Sequence, residues 1–263
     1  MIDFHAHIFP DKIANKTVKH LESICGTPAY SDGTKDMLLK SMDRAGIETS
    51  ILLPVLTSPT QFDSVLRFVS QFTEGRLISF GGIHPENEDY KQKLRLIRDY
   101  GLKGIKMHSD YQNTYFSDIR YKRIISYASE LGLICVIHAG QDPYSPDDVH
   151  CTPKMISDLI DEVAPEKLVL AHFGGHLMTE DVEKYLIGKN VYFDTAYDLD
   201  KVSTYQITKI IRSHGTDKIL FGSDTPWADQ KEFVDCFKKL PLTDWEKNMI
   251  LEQNALKLLK DCE

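Results

Sequence analysis

Two hydrophobic rhythms alternate along the chain. Short apolar, β-branched runs at residues 2–4, 50–55, 77–83, 104–107, 133–137, 168–171, 191–193 and 218–221 read as strands. Between them apolar residues recur every three or four positions, as in Phe62, Val65, Leu66, Val69 and Phe72, or Ile207, Ile210 and Ile211, which predicts amphipathic helices. Local punctuation agrees. Gly46, Gly101 and Gly132 follow helical stretches, Thr152-Pro153 offers a cap with proline in the first turn, and Thr243 with Glu246 forms a predicted capping box for the last helix.

Eight such repeats with mostly continuous apolar strands predict an α/β protein whose parallel sheet is covered by helices. At 263 residues the closed (β/α)8 TIM barrel is the favoured form. An open doubly wound sheet is the alternative, but no Gly-x-Gly-x-x-Gly follows a strand. No linker-like stretch interrupts residues 1–263, so a single domain is expected.

The opening MIDFHAHIFP departs from a purely apolar strand. Alternation places Asp3, His5 and His7 on one side and Ile2, Phe4, Ala6 and Ile8 on the other. Polar residues also close later strands: Lys106 and His108 the fourth, His138 the fifth, His172 the sixth, Asp194 the seventh and Asp224 the eighth. In a barrel those ends meet on one face, where enzymes of this fold keep their chemistry. A single such histidine, His84 or His108 for instance, is ordinarily a hydrogen-bonded rim residue. His5, His7, His138, His172 and Asp224 converging together point instead to a divalent metal site. Imidazoles with a carboxylate suit zinc, with manganese or iron as alternatives, and the lack of thiolates fits a catalytic site with an open position. A cation there would bring the pKa of a held water toward about 7.

Composition narrows the partners. With 39 acidic against 31 basic residues and a net charge of −8, duplex nucleic acid is not expected as a partner. No apolar run approaches the roughly 20 residues needed to cross a bilayer, and no charged leader with an apolar core opens the chain. A cytoplasmic protein acting on a small molecule, without a membrane partner, is therefore expected. The five cysteines, Cys25, Cys135, Cys151, Cys236 and Cys262, are scattered and form no Cys-x-x-Cys pair, which argues against a disulfide framework or a thiolate zinc site. Cys135 reads as core, and nothing beside Cys25 or Cys151 marks a nucleophile.

Substrate selection is expected from loops after the strands. HSDYQNTYF offers His108, Tyr111, Gln112 and Tyr115, and HAGQDPYSPDDVH offers Asp142, Tyr144 and His150. Their polarity suits a small, oxygen-rich substrate better than a greasy one. Trp227 is a candidate wall, residues 10–34 a candidate lid, and Asp3 and Asp194 are candidates for fixing histidine tautomers.

Taken together, His5-Ala6-His7, Lys106 in GIKMH, His138 in VIHAG, His172 in LAHFGG and Asp224 in FGSDTPW resemble the amidohydrolase superfamily. The likeness is to its amidohydrolase-related branch of metal-dependent hydrolases and non-oxidative decarboxylases, and ILEQNALKLL is similar to that branch's closing helix. The resemblance implies that His5, His7, His138 and Asp224 hold one metal, that Asp224 is the catalytic base, and that His172 polarises substrate or binds a second metal. Lys106 is implied as a catalytic-site cation beside Asp224 or an anionic substrate; carbamylated, it would bridge two ions. The metal-dependent DNase branch is also similar through the His-x-His strand and GIHP around His84, but it expects glutamate where Lys106 stands. A phosphoesterase of the polymerase-and-histidinol-phosphatase type would close with Asp-x-His, where Ser223-Asp224-Thr225-Pro226 stands. Hydrolysis of a small amide, lactone or ester is the expectation, with decarboxylation of a small carboxylic acid as the alternative and non-catalytic metabolite binding as a third. Oligomeric state stays open, although outer helices of such barrels often pair into homo-oligomers.

Overall fold

Each run read as a strand overlaps one in the computed structural model, which describes residues 1–261; Cys262 lies outside the described residues. The strands are β1 (Ile2–Ala6), β2 (Thr49–Leu52), β3 (Leu77–Ser79), β4 (Gly81–Gly82), β5 (Gly104–Met107), β6 (Ile134–Ile137), β7 (Leu168–Leu170), β8 (Tyr192–Asp194) and β9 (Ile219–Leu220). The helices are α1 (Asp11–Cys25), α2 (Lys35–Ala45), α3 (Phe62–Val69), α4 (Tyr90–Asp99), α5 (Ile119–Glu130), α6 (Pro153–Val163), α7 (Thr179–Tyr185), α8 (Thr204–His214), α9 (Gln230–Lys238), α10 (Asp244–Asn248) and α11 (Asn254–Lys260). The predicted third strand is interrupted at Phe80, which divides it into β3 and β4.

Paired strands run parallel and follow chain order, β1-β2-β3 in one sheet and β4 through β9 in the other. The amide of Phe80 donates to the carbonyl of Leu52 at 2.9 Å, beside the break. At the seam, the amides of Phe4 and Asp224 donate to the carbonyls of Phe221 (2.7 Å) and His5 (2.8 Å), joining the first strand to the last. The ring is therefore closed, and the fold is the (β/α)8 barrel rather than an open sheet.

Two apolar layers follow from the strands' alternate sides. Leu52, Ile105, Ile137, Leu170 and Phe193 pack outward beneath the helices. Phe4, Ile51, Phe80, Val136, Val169, Tyr192 and Leu220 fill the interior, where Ala255, Leu258 and Leu259 of α11 pack against them. The caps behave as expected: Thr152 accepts from the amide of Met155, Thr243 and Glu246 form the capping box, and Gly46 ends α2 at φ 71°. A π-helical turn, Met249–Gln253, links α10 to α11, and the amide of Phe221 donates to the Ile250 carbonyl within it. Among the described residues no helix is long and apolar enough to cross a membrane.

Strand β1 corrects one expectation. Asp3 stands opposite Ser50 and Ala6 opposite Leu52, so three steps on β1 match two on β2. This β-bulge lets Phe4 join the inner core while His5 also turns inward. Asp3 turns outward, accepting from Ser223 Oγ at 2.6 Å and Gln230 Nε2 at 2.7 Å. Asp3 therefore shares no side with His5 and touches no histidine ring; its contact with His5 is to the backbone amide, at 3.1 Å.

Candidate metal centre and its cavity

The bulged end of β1 and the turn after β9 bring His5, His7 and Asp224 together. Nε2 of His7 lies 3.1 Å and Nε2 of His5 lies 3.4 Å from Oδ1 of Asp224. Each ring is fixed from behind. Nδ1 of His5 contacts Asp194 Oδ2 at 2.8 Å, and Nδ1 of His7 contacts the Leu53 carbonyl at 2.7 Å. Those oxygens accept, so Nδ1 carries the proton in each neutral ring and Nε2 presents a lone pair. With both rings neutral, three acceptor atoms thus converge; the Lys106 ammonium lies 3.3 Å from Nε2 of His5, while Nε2 of His7 and Oδ1 of Asp224 face each other as acceptors, an arrangement that a cation among them would relieve. The donor set fits a divalent ion.

Burial, then the neighbouring Lys106 ammonium, holds the His5 imidazole well below its usual range. Burial alone would raise Asp224, but His5, His7 and His172 outweigh it and keep the carboxyl well below the ordinary value. Lys106 is 1 % exposed, and its Nζ lies 3.3 Å from Nε2 of His5. Burial pushes its pKa down to about 8, against the opposing pull of Asp194 and Asp224. The backbone is strained here: Asp224, His172 and Phe173 have φ of 72°, 57° and 52°. Left-handed conformations of non-glycine residues cost on the order of 1–3 kcal/mol each and concentrate at functional sites.

His138 and His172 form a second tier. Nδ1 of His172 faces the Ala196 carbonyl at 2.9 Å, and its Nε2 lies 3.0 Å from Nδ1 of His138. His138 stacks on His108 with ring centroids 4.0 Å apart. Asp142 Oδ2 lies 3.4 Å from Nε2 of His108 and 3.6 Å from Nε2 of His138, a buried nitrogen that makes no hydrogen bond. Burial would raise Asp142, but His108 wins and its carboxyl is lowered. Ligand atoms of His5, His7 and Asp224 lie within 4.8 Å of one another, as do those of His108, His138 and Asp142. His138 is thus joined to the first trio through His172 and not by direct approach to all three.

These groups open into one cavity of about 700 Å3, which His108, Tyr111, Asp142, Tyr144 and Trp227 also line, as the loop sequences suggested. His150 and Tyr115 lie outside that wall. His150 Nδ1 engages Asp110 at 3.0 Å, while the Tyr115 hydroxyl donates to Asp148 at 2.8 Å. Gln112 is a structural clamp, donating to the carbonyls of Leu56 and Ile83. His84 lies off the cavity, its Nδ1 accepting the Glu86 amide. Residues 11–25 form α1, and the cavity reaches it at Ile13, Thr17, His20 and Ile24. Cys25 also reaches the wall, but burial pushes its thiol up, away from the thiolate form.

Sequence reasoning missed His176 and Tyr197. Nδ1 of His176 contacts Asp198 at 2.6 Å, and both His176 and Tyr197 line the cavity. The four-residue spacing in His172-Phe-Gly-Gly-His176 was the available signal. Gly140 explains the close approach of this loop: a Cβ there would stand 2.1 Å from the His176 amide nitrogen.

Comparison with known proteins places the chain. The amidohydrolase family profile matches residues 2–260, and the chain belongs to that family. Its structure is similar to that of 2,6-dihydroxybenzoate decarboxylase from Rhizobium, with a TM-score of 0.71, 17 % identity and 98 % of each chain covered. It is similar to dihydroxybenzoic acid decarboxylase from Polaromonas sp. JS666, solved with bound manganese, at a TM-score of 0.70 and 15 % identity over 98 % of this chain and 96 % of that one. A Pseudomonas putida protein assigned as a 2-pyrone-4,6-dicarboxylic acid hydrolase aligns at 0.67 and 15 % identity over 99 % and 97 %. At such identities the likeness establishes the shared fold. No curated protein sequence matches the chain.

Proposed function

We propose that the protein is a metal-dependent hydrolase of a small substrate carrying an amide, lactone or ester carbonyl, with Asp224 as general base. The observation that carries this reading is the convergence of His5 Nε2, His7 Nε2 and Asp224 Oδ1, each ring pinned by a hydrogen bond behind it. His5, His7 and Asp224 would hold a divalent ion, zinc being the favoured metal over manganese or iron; His138, the fourth ligand of the proposed set, faces His172 and Asp142 and would turn from them to join. Such an ion supplies an electrophile for the carbonyl oxygen and makes water acidic near neutrality.

The chain's own residues do the remainder. Asp224 takes a proton from the attacking water and returns it to the leaving group. Asp194 holds the His5 tautomer and also accepts the His172 amide at 2.9 Å, so one carboxylate positions both rings. His172, whose Nε2 meets Nδ1 of His138 at 3.0 Å, would position that imidazole, and Lys106 supplies a buried positive charge. In this reading residues 1–263 are one cytoplasmic barrel domain acting on a small molecule, without a nucleic-acid or membrane partner.

Decarboxylation of a small carboxylic acid is the second reading, and Lys106 favours it, being a buried cation able to seat a carboxylate. The test is a substrate panel assayed in parallel for acid release and for carbon dioxide. Acid release without carbon dioxide supports hydrolysis, carbon dioxide alone supports the second reading, and binding without turnover overturns both.

A further inference from the structure

Resting on the hydrolase reading, we infer that the substrate is neutral or singly charged and carries an apolar arm that lies along α1 and α3. The cavity has two unlike halves. Its polar half holds the strand-end histidines, Lys106, Asp142 and Asp224; along α1 and α3 the wall is mostly apolar, Phe9, Ile13, Leu21, Ile24, Val65 and Phe68 outnumbering Thr17, His20 and Ser64. Helix α1 turns Ala14 and Val18 into the protein, whereas Ile13 and Ile24 remain 49 % and 41 % exposed. Large apolar side chains left in water along a reactive cavity are the mark of a surface that a ligand covers. A volume of about 700 Å3 lies well inside the range of pockets for drug-sized ligands, more than a single polar ring needs.

Charge sets the other limit. Among the described residues lining this cavity, Lys106 is the only lysine or arginine, and two carboxylates face it. With a divalent ion in place, those carboxylates offset most of the positive charge, leaving attraction for one negative group. Dicarboxylates and phosphate monoesters would carry a second charge without a partner. In this inference the oxygen-rich part of the substrate sits near Asp224 and its apolar arm near α1.

The test uses straight-chain hydroxamic acids, from acetyl to decanoyl, bound to the zinc-loaded protein and followed by calorimetry. Affinity is expected to climb about three- to fourfold per methylene over the first several carbons, with a heat capacity of binding that grows more negative with length. The double variant Ile13→Asn, Ile24→Asn changes exposed positions that the fold tolerates, and it should reduce the octanoyl-to-acetyl affinity ratio at least tenfold. If acetohydroxamate binds but the series is flat, the apolar arm is overturned and the metal site stands. If no hydroxamate binds the zinc-loaded protein, the metal-site reading falls and this inference falls with it.

Discussion

Nε2 of His172 lies 3.0 Å from Nδ1 of His138, and the contact dictates where protons sit. Because Nδ1 of His172 faces the Ala196 carbonyl, the neutral ring leaves Nε2 as an acceptor, and His138 must donate from Nδ1. Nε2 of His138 is then a bare lone pair, buried and without a hydrogen bond, facing Asp142. Burial and the surrounding His108 and His172 hold the His138 imidazole well below its usual range, so this nitrogen stays unprotonated until a ligand arrives.

Replacing Asp224 by Asn removes the proposed base but keeps an oxygen donor. Turnover is expected to fall about 10^2–10^4-fold while some metal is retained, read by steady-state kinetics beside elemental analysis. Near-normal activity would remove Asp224 from that role.

Asp142→Asn tests whether the carboxylate between His108 and His138 steers the metal-binding imidazole. Metal affinity or kcat/KM should drop about 10–100-fold, the range for partners that orient ligands. Competition against a chromophoric chelator measures the affinity directly. An unchanged affinity with a raised KM would assign Asp142 to substrate instead.

Stripping metal with dipicolinate should lower the melting temperature as well as abolish turnover, since acceptor atoms of His5, His7 and Asp224 are left facing one another. A ligand at a thousand times its Kd stabilises by about 4 kcal/mol, which for a chain of this size shifts Tm by on the order of 10 °C. Back-titration with zinc, manganese and iron, one at a time, identifies the preferred ion by which restores both properties.

Away from the cavity, His214 sets a pH dependence of stability. It accepts the Gly188 amide through Nδ1, approaches the Val191 carbonyl through Nε2 and stacks on Phe193 at 3.8 Å. Burial lowers its pKa from 6.5, so as pH falls below that value the unfolded chain takes up a proton that the folded one resists. Stability from this group is therefore complete at pH 8 and declines with acidification. Urea midpoints at pH 8 and pH 5.5 should differ less in His214→Phe, which keeps the stack but costs about 1–2 kcal/mol in lost hydrogen bonds at pH 8.

Much of the barrel is legible in the residues because its strands are buried on both sides and its helices are punctuated by Gly46, Thr152 and Thr243. The strand-end polar residues are legible for the same reason: a charged or imidazole side chain is costly to bury unpartnered, so one that closes an apolar run stands out against it. The bulge in β1 was not, since it arises from register against β2 and leaves no mark on Asp3, Phe4 or His5 themselves. Nor was the destination of His150, which depends on Asp110, forty residues earlier, reaching the same loop. Side-chain periodicity records which face is buried; it does not record which distant loop arrives there.

The seam between Phe4 and Phe221, with Leu258 and Leu259 packed into the interior behind it, makes the ring's completion a late event. While the polypeptide is being synthesised, β1 waits with an unpaired edge until more than 200 further residues have emerged. The histidines on that strand and the aspartate that faces them come together only when that seam closes, so uptake of the proposed metal would report that the ring is complete.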